Sequence, residues 1–222
     1  MKVIREKFHN QLVTMPRLFP INCYLIKEQK FMTLIDCSKK GESRKIIDVI
    51  QSEGCPLKHI ILTHAHSDHI GDVDKIKKVF PKAEIILSEK ENQDLNHKER
   101  KLSPLPVQVD RLVKEGDYVG SLLVKETPGH TRGSISLIDL RTHFAFVGDL
   151  IQTKGGNAIA GDRRFIFPFP AMATQDKTAA IQSFEKISKD QYARYYCGHG
   201  SYLENNSEKI QRMIARGNAK IN

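Results

Sequence analysis

Residues 63–69, Thr-His-Ala-His-Ser-Asp-His, crowd three imidazoles and a carboxylate into the six positions from His64 to His69. Core packing gives no reason for such crowding, because a polar side chain taken from water costs free energy unless something satisfies it. A shared cation does so, and neutral imidazoles with a carboxylate suit zinc, manganese or iron(II). The chain has nine histidines, so a third of them fall in this one stretch. Just before it, residues 59–62 (His-Ile-Ile-Leu) read as a short buried strand, which puts the cluster on a loop at a strand's C-terminal end. In an extended segment His64 and His66 point to one side, as two ligands of one ion should. Asp68 and His69 then turn toward a neighbouring position as the chain bends into a helix.

Three further segments repeat the logic. Thr127-Pro128-Gly129-His130-Thr131 places a histidine in a Gly/Pro turn after the strand at 122–125. Val147-Gly148-Asp149 places a carboxylate after the strand at 144–147, and Cys197-Gly198-His199-Gly200 sets a histidine between glycines after 193–196. Each polar residue sits at a strand end beside glycine, where backbone must come close to something. Several loops meeting on one rim of a scaffold build a site in this way. His9, His59, His97 and His143 have no ligand-like partner at useful spacing and read as surface or hydrogen-bonded side chains.

The remaining pattern predicts alternating short strands and amphipathic helices. Residues 22–26 and 31–35 read as strands joined by a polar turn at 27–30. Ile46, Ile47 and Ile50 recur at helical spacing, and Gly54 and Pro56 stop that helix. A helix starting near Asp72 carries Val73, Ile76 and Phe80 on one face and ends at Pro81. A strand at 83–87 leads into a polar helical stretch from Ser88. Strands follow at 122–124, 135–138 and 144–147, then helices at 174–187, capped by Thr174 or Asp176, and at 204–215. Two sheets with amphipathic helices and no sustained βαβ rhythm suggest a sandwich of sheets covered outside by helices. No repeat or linker divides the 222 residues, so residues 1–222 are expected to form a single domain.

Residues 155–173 stand apart as Gly-rich, then aromatic, then Pro-broken, which fits a binding loop. Phe165, Phe167 and Phe169 alternate and would share a face if that segment were extended. Arg163, Arg164 and Arg132 are cations placed to meet an anionic group. The net charge of +9 points the same way, toward an anionic small molecule. The basic residues are scattered as on solvated faces, and no RNA-binding signature accompanies them, so nucleic acid is not favoured. Cys23, Cys37, Cys55 and Cys197 form no CxxC pair and read as reduced thiols. With no secretory h-region and no membrane-length apolar run, a cytoplasmic protein without a membrane partner is expected. Oligomeric state is left open.

Together the histidine and aspartate segments resemble the metallo-β-lactamase superfamily, whose HxHxDH loop is followed by separate His, Asp and His residues. The resemblance runs from about residue 22 to 199 and implies an α+β fold, a four-layer αββα sandwich of two mixed β-sheets flanked by helices. It implies that His64, His66 and His130 bind one divalent ion, that Asp68, His69 and His199 bind another, and that Asp149 bridges both. Zinc is the ion expected first, with manganese and iron(II) as the alternatives. Such a pair activates a bridging hydroxide to attack a carbonyl or phosphoryl centre, and Asp68 is the residue expected to orient it and pass a proton to the leaving group.

Departures from known branches narrow the substrate. The β-lactamase branches generally lack the bridging aspartate, so Asp149 argues against a β-lactam. Glyoxalase II enzymes share the ligand set but add a helical region for glutathione, and the 23 residues after His199 have room for little more than one helix. Quorum-sensing lactonases place a tyrosine three residues after the bridging aspartate, where this chain has Gln152. RNA-processing branches carry an added arm or inserted domain that is not visible here. A glyoxalase II-like hydrolase of a small thioester, ester or lactone fits best, with a phosphodiesterase or nuclease as the alternative. A mononuclear iron oxygenase conflicts with the complete second-ion set.

Overall fold

The computed structural model describes residues 1–95 and 102–220 and divides the chain into two compact units, Met1–Val113 and Lys114–Asn222. In the first unit the strands are β1 (Lys2–Arg5), β2 (His9–Thr14), β3 (Ile21–Lys27), β4 (Met32–Ile35), β5 (Leu57–Ile61), β6 (Glu84–Ser88) and β7 (Arg111–Val113). They form one sheet in chain order, antiparallel from β1 to β4 and parallel from β4 to β7. Parallel neighbours need crossovers, supplied by α1 (Ser43–Ser52), α2 (Ser67–Ile70), α3 (Val73–Val79) and α4 (Glu89–Leu95). Ile46, Val49 and Ile50 of α1 and Val73 and Ile76 of α3 pack on Cys23, Leu25, Leu34, Ile60 and Ile85 of the sheet. Fully burying one such aliphatic side chain contributes about 2 kcal/mol.

Parallel strands β4, β5 and β6 end on one edge of the sheet, the edge where open α/β sheets collect ligands. Asp36 follows β4, the histidine loop follows β5, and Glu91 lies on the helix that follows β6. Asp72 ties the far end of that loop to the start of α1 by accepting from Gly41 N and Ser43 N at 2.7 and 3.3 Å. Burial alone pushes the Asp72 carboxyl up, but hydrogen bonds from Lys75, Gly41 and Ser43 outweigh it and hold it below the ordinary value.

In the second unit β8 (Tyr118–Val119), β9 (Leu122–Glu126), β10 (Ile135–Asp139), β11 (Phe144–Gly148), β14 (Arg194–Cys197) and β15 (Tyr202–Glu204) make a second mixed sheet. A two-strand ribbon, β12 (Ile151–Gln152) with β13 (Ala158–Ile159), lies beside it in sequence, and α5 (Phe169–Ala173), α6 (Lys177–Ser188) and α7 (Ser207–Asn218) complete the unit. The order β14-β11-β10-β9 has β11 parallel to β14 and both other pairs antiparallel, so β9, β11 and β14 all point the same way. Their C-terminal loops therefore share one sheet edge. Ala180, Ile181, Phe184 and Ile187 form the buried stripe of α6, at helical spacing, against Ala145, Val147 and Tyr195.

Most predicted elements are present, with instructive shifts. The helix expected at 174–187 starts at Lys177, because Asp176 caps it by accepting from Ala179 N at 2.9 Å. The helix expected at 204–215 starts at Ser207, since Asn206 does the same for Lys209 N and Glu204 belongs to a strand. Residues 155–173 are irregular as expected, apart from β13 and the five-residue α5. Phe165, Phe167 and Phe169 do not share a face: Phe165 is fully exposed while Phe167 is buried, because the chain bends at residues 165–166 and enters α5 at Phe169 rather than running extended. Among the described residues no helix is long and apolar enough to cross a membrane. All four cysteines are free thiols. His97 lies outside the described residues.

Candidate metal centre

In the first unit the histidine loop leaves β5 and enters α2 with His66 in extended backbone at the N-cap. The rings of His64 and His66 meet edge-on with centroids 4.8 Å apart, and those of His64 and His69 lie 4.1 Å apart. Ligand atoms of His64 and His66, of His64 and His69, and of Asp68 and His69 each come within 4.8 Å. The three histidines are buried and Asp68 is half-buried. The turn after β5 thus brings all four candidate ligands of this unit together.

Side chains that the sequence did not single out fix these rings. Asp36 accepts three hydrogen bonds, from Thr63 N, Thr63 Oγ1 and His69 Nδ1, each at 2.8 Å. Thr63 has one hydroxyl hydrogen and gives it to Asp36, so at the 3.1 Å contact with His64 Nδ1 its oxygen is the acceptor. Both His64 and His69 therefore carry their proton on Nδ1, and coordination falls to Nε2. Glu91, fully buried on α4, accepts from Ala65 N at 2.7 Å and holds the loop backbone between the two leading histidines.

In the second unit His130, Asp149 and His199 follow β9, β11 and β14 respectively. One carboxylate oxygen of Asp149 lies 3.4 Å from His130 Nε2 and 3.2 Å from His199 Nε2, and all three side chains are almost fully buried. Thr174 gives its hydroxyl hydrogen to Pro170 O at 2.7 Å and so accepts from His130 Nδ1 at 3.2 Å, again leaving Nε2 to face the aspartate. Gly129 and Gly200 have φ of +139° and +111°, and a Cβ on either would strike backbone or side chain of Ala180 or Thr153. No other residue permits those turns at that approach. A buried carboxylate oxygen shared by two imidazole nitrogens is a donor set that fits a divalent cation.

Other residues raised by the sequence take structural places. His59 contacts Thr33 Oγ1 at 3.1 Å and stacks edge-on with Phe31; its pKa is lowered, chiefly by burial. His9 is buried on β2, and His143 occupies a turn with φ of +58° beside Tyr192. The Cys197 thiol points at the carbonyls of His199 and Ser201, 3.2 Å from each, and burial pushes it up to about 11. Arg132 and Arg163 are exposed and Arg164 is half-buried.

Comparison with known proteins gives one family. The model described as metallo-beta-lactamase superfamily matches residues 16–199. A protein of Bacillus subtilis (strain 168) named "Uncharacterized protein YobT" is 36% identical over 219 residues, covering 93% of this chain and 94% of its own. The hydroxyacylglutathione hydrolase of Bartonella quintana (strain Toulouse) is 28% identical over 197 residues, covering 84% of this chain and 69% of its own. Among solved structures, the metallo-beta-lactamase family protein TTHA1429 from Thermus thermophilus superposes with a TM-score of 0.74 at 17% identity, covering 97% of this chain and 81% of its own. At that identity the likeness shows the fold alone.

Proposed function

The chain belongs to the metallo-β-lactamase superfamily, and from that premise we propose that it cleaves a small thioester, ester or lactone with two divalent ions. Its fold is the αββα fold of that superfamily, with two mixed sheets and flanking helices, and its activity is metal-dependent hydrolysis. On this reading residues 1–222 act as one hydrolase domain. His64, His66 and His130 hold one ion, Asp68, His69 and His199 hold the other, and Asp149 serves both. The observation that carries the reading is the Asp149 oxygen set 3.4 and 3.2 Å from two buried imidazole nitrogens. Zinc is the ion we expect first, since neutral imidazoles and carboxylates suit it, with manganese and iron(II) as the alternatives.

When bound, a pair of divalent ions supplies a water acidified toward neutrality and positive charge for a developing oxyanion. The chain's own residues do the rest. Asp36, Thr63 and Thr174 hold the His69, His64 and His130 rings in the Nδ1-protonated form, so the coordinating atoms need no reorganisation. Asp68, half-buried at the first turn of α2, orients the nucleophile and returns a proton to the leaving group.

Support for the substrate class comes from the hydroxyacylglutathione hydrolase relatives and from Asp149, which sets the chain apart from the β-lactamase branches. The net charge of +9 suits an anionic leaving group and also keeps phosphodiesters as the second class to assay. The four free thiols support a reducing, cytoplasmic setting.

The test is a hydrolysis panel of thioesters, lactones, esters and bis(p-nitrophenyl) phosphate on metal-replete protein. Turnover confined to the phosphodiester would replace the proposed class by the second. In the same panel Asp68→Ala is expected to keep the fold and lose about 10²–10⁴-fold in kcat. A variant with wild-type kcat and metal content would remove Asp68 from the mechanism.

A further inference from the structure

Gln152 sits three residues beyond Asp149, buried in β12, and its side-chain amide donates to two backbone carbonyls, Lys154 O and Phe167 O, each at 2.8 Å. Both amide hydrogens are thus committed inside the protein, and neither is offered to a substrate. The two carbonyls belong to the two segments that hold His199. On one side, Thr153 N and Lys154 N both donate to the His199 carbonyl, at 3.1 and 3.3 Å, and Thr153 Oγ1 donates to Ser201 O at 2.8 Å. On the other, the buried Phe167 ring packs against the His199 imidazole with centroids 5.3 Å apart and is itself backed edge-on by Phe169 at 5.3 Å.

We infer that Gln152 is a positioning residue that locks the backbone support of His199 to its ring support and thereby sets how tightly the second ion is held. The inference rests on the reading of His199 as a ligand. It follows from connectivity: the segment between residues 154 and 167 has the two-residue β13 as its regular element, paired back to β12, and the Gln152 amide adds a direct side-chain link between residues 154 and 167 at its base. Without it the carbonyl of Phe167, a buried residue between more exposed neighbours, loses a donor and the ring beside His199 loses its anchor. A group that hydrogen-bonds a coordinating imidazole directly changes metal affinity about 10–100-fold when lost, and Gln152, one contact further back, is expected at the low end of that range.

The experiment compares zinc occupancy of the full-length holoprotein across a graded chelator series, by elemental analysis, with thermal unfolding recorded in parallel. Gln152→Met keeps the side chain's length and removes both donors; Gln152→Asn keeps one amide on a shorter arm. Asn206→Ala, which removes the cap of α7, is a destabilised control. The expected result is about 10-fold weaker binding of one zinc equivalent in Gln152→Met, a smaller loss in Gln152→Asn, and wild-type affinity in Asn206→Ala. Wild-type affinity in both Gln152 variants, with one equivalent lost in His199→Ala, overturns the inference and leaves the ligand assignment standing. If His199→Ala also retains both equivalents, the ligand assignment fails and takes the inference with it.

Discussion

Asp149→Ala is expected to reduce kcat on the order of 10³-fold, the scale set by losing an electrostatic group aimed at the reacting centre. Its carboxylate is the anionic donor of the second unit's half-site, with one oxygen 3.4 and 3.2 Å from the His130 and His199 Nε2 atoms. Alanine leaves two neutral imidazoles to face positive charge with no carboxylate between them. Metal content should fall together with rate, while far-UV circular dichroism stays unchanged, because β11 is held by its ladders to β10 and β14. Asp149→Ala protein that retains wild-type metal and turnover would leave the aspartate as an ordinary turn residue.

The second large effect belongs to Asp36, and here two substitutions separate stability from metal binding. Asp36→Ala deletes the acceptor of three buried hydrogen bonds and strands the Thr63 N–H. It also places alanine at φ +59°, a region that aspartate and asparagine tolerate far better. Leaving the Thr63 and His69 donors unsatisfied at about 1–3 kcal/mol each gives an expected cost of about 3–5 kcal/mol, a fall in Tm on the order of 10 °C for a chain of this size. Asp36→Asn keeps the backbone preference and one carbonyl acceptor, so it should cost less stability. Its single oxygen cannot accept on both sides as the carboxylate does: kept for Thr63 N, it turns the NH2 toward His69 Nδ1, which favours the tautomer protonated on Nε2 and blocks coordination there. Asn should therefore lose about 10–100-fold in metal affinity with a small change in Tm. Equal affinity in Asp36→Asn and wild type would refute the tautomer argument.

Those two aspartates also show how far the sequence could be read. Asp149 was legible because it joined a set: a strand end, a glycine, and histidines in equivalent places on other loops. Asp36 carries the same local sign, a polar residue closing an apolar strand, but its partner His69 is 33 residues away and nothing local joins them. Glu91 and Thr174 were hidden for the same reason, at separations of 26 and 44 residues from Ala65 and His130. Periodicity finds elements and clusters, whereas such supports exist only once strands are side by side.

The fold divides similarly. The apolar strands β3 to β6 were readable, since strands buried on both faces are continuous apolar runs. The N-terminal strands β1 and β2 went unassigned because β2, His-Asn-Gln-Leu-Val-Thr, buries polar and apolar residues alike. There Asn10 donates to Glu53 at 2.6 Å, a partner that alternation cannot reveal. Phe167 misled for a different reason: its spacing from Phe165 and Phe169 assumed extended backbone, and the chain bends at 165–166 before α5 starts at Phe169.

The central claim is a dinuclear centre, and the most direct measurement is the number of divalent ions per chain after metal loading and removal of excess, by elemental analysis with quantified protein. A dinuclear centre gives two ions per wild-type chain. About one is expected in His66→Ala and about one in His199→Ala, since those histidines are assigned to different ions. A value at or below one in loaded wild-type protein would contradict it.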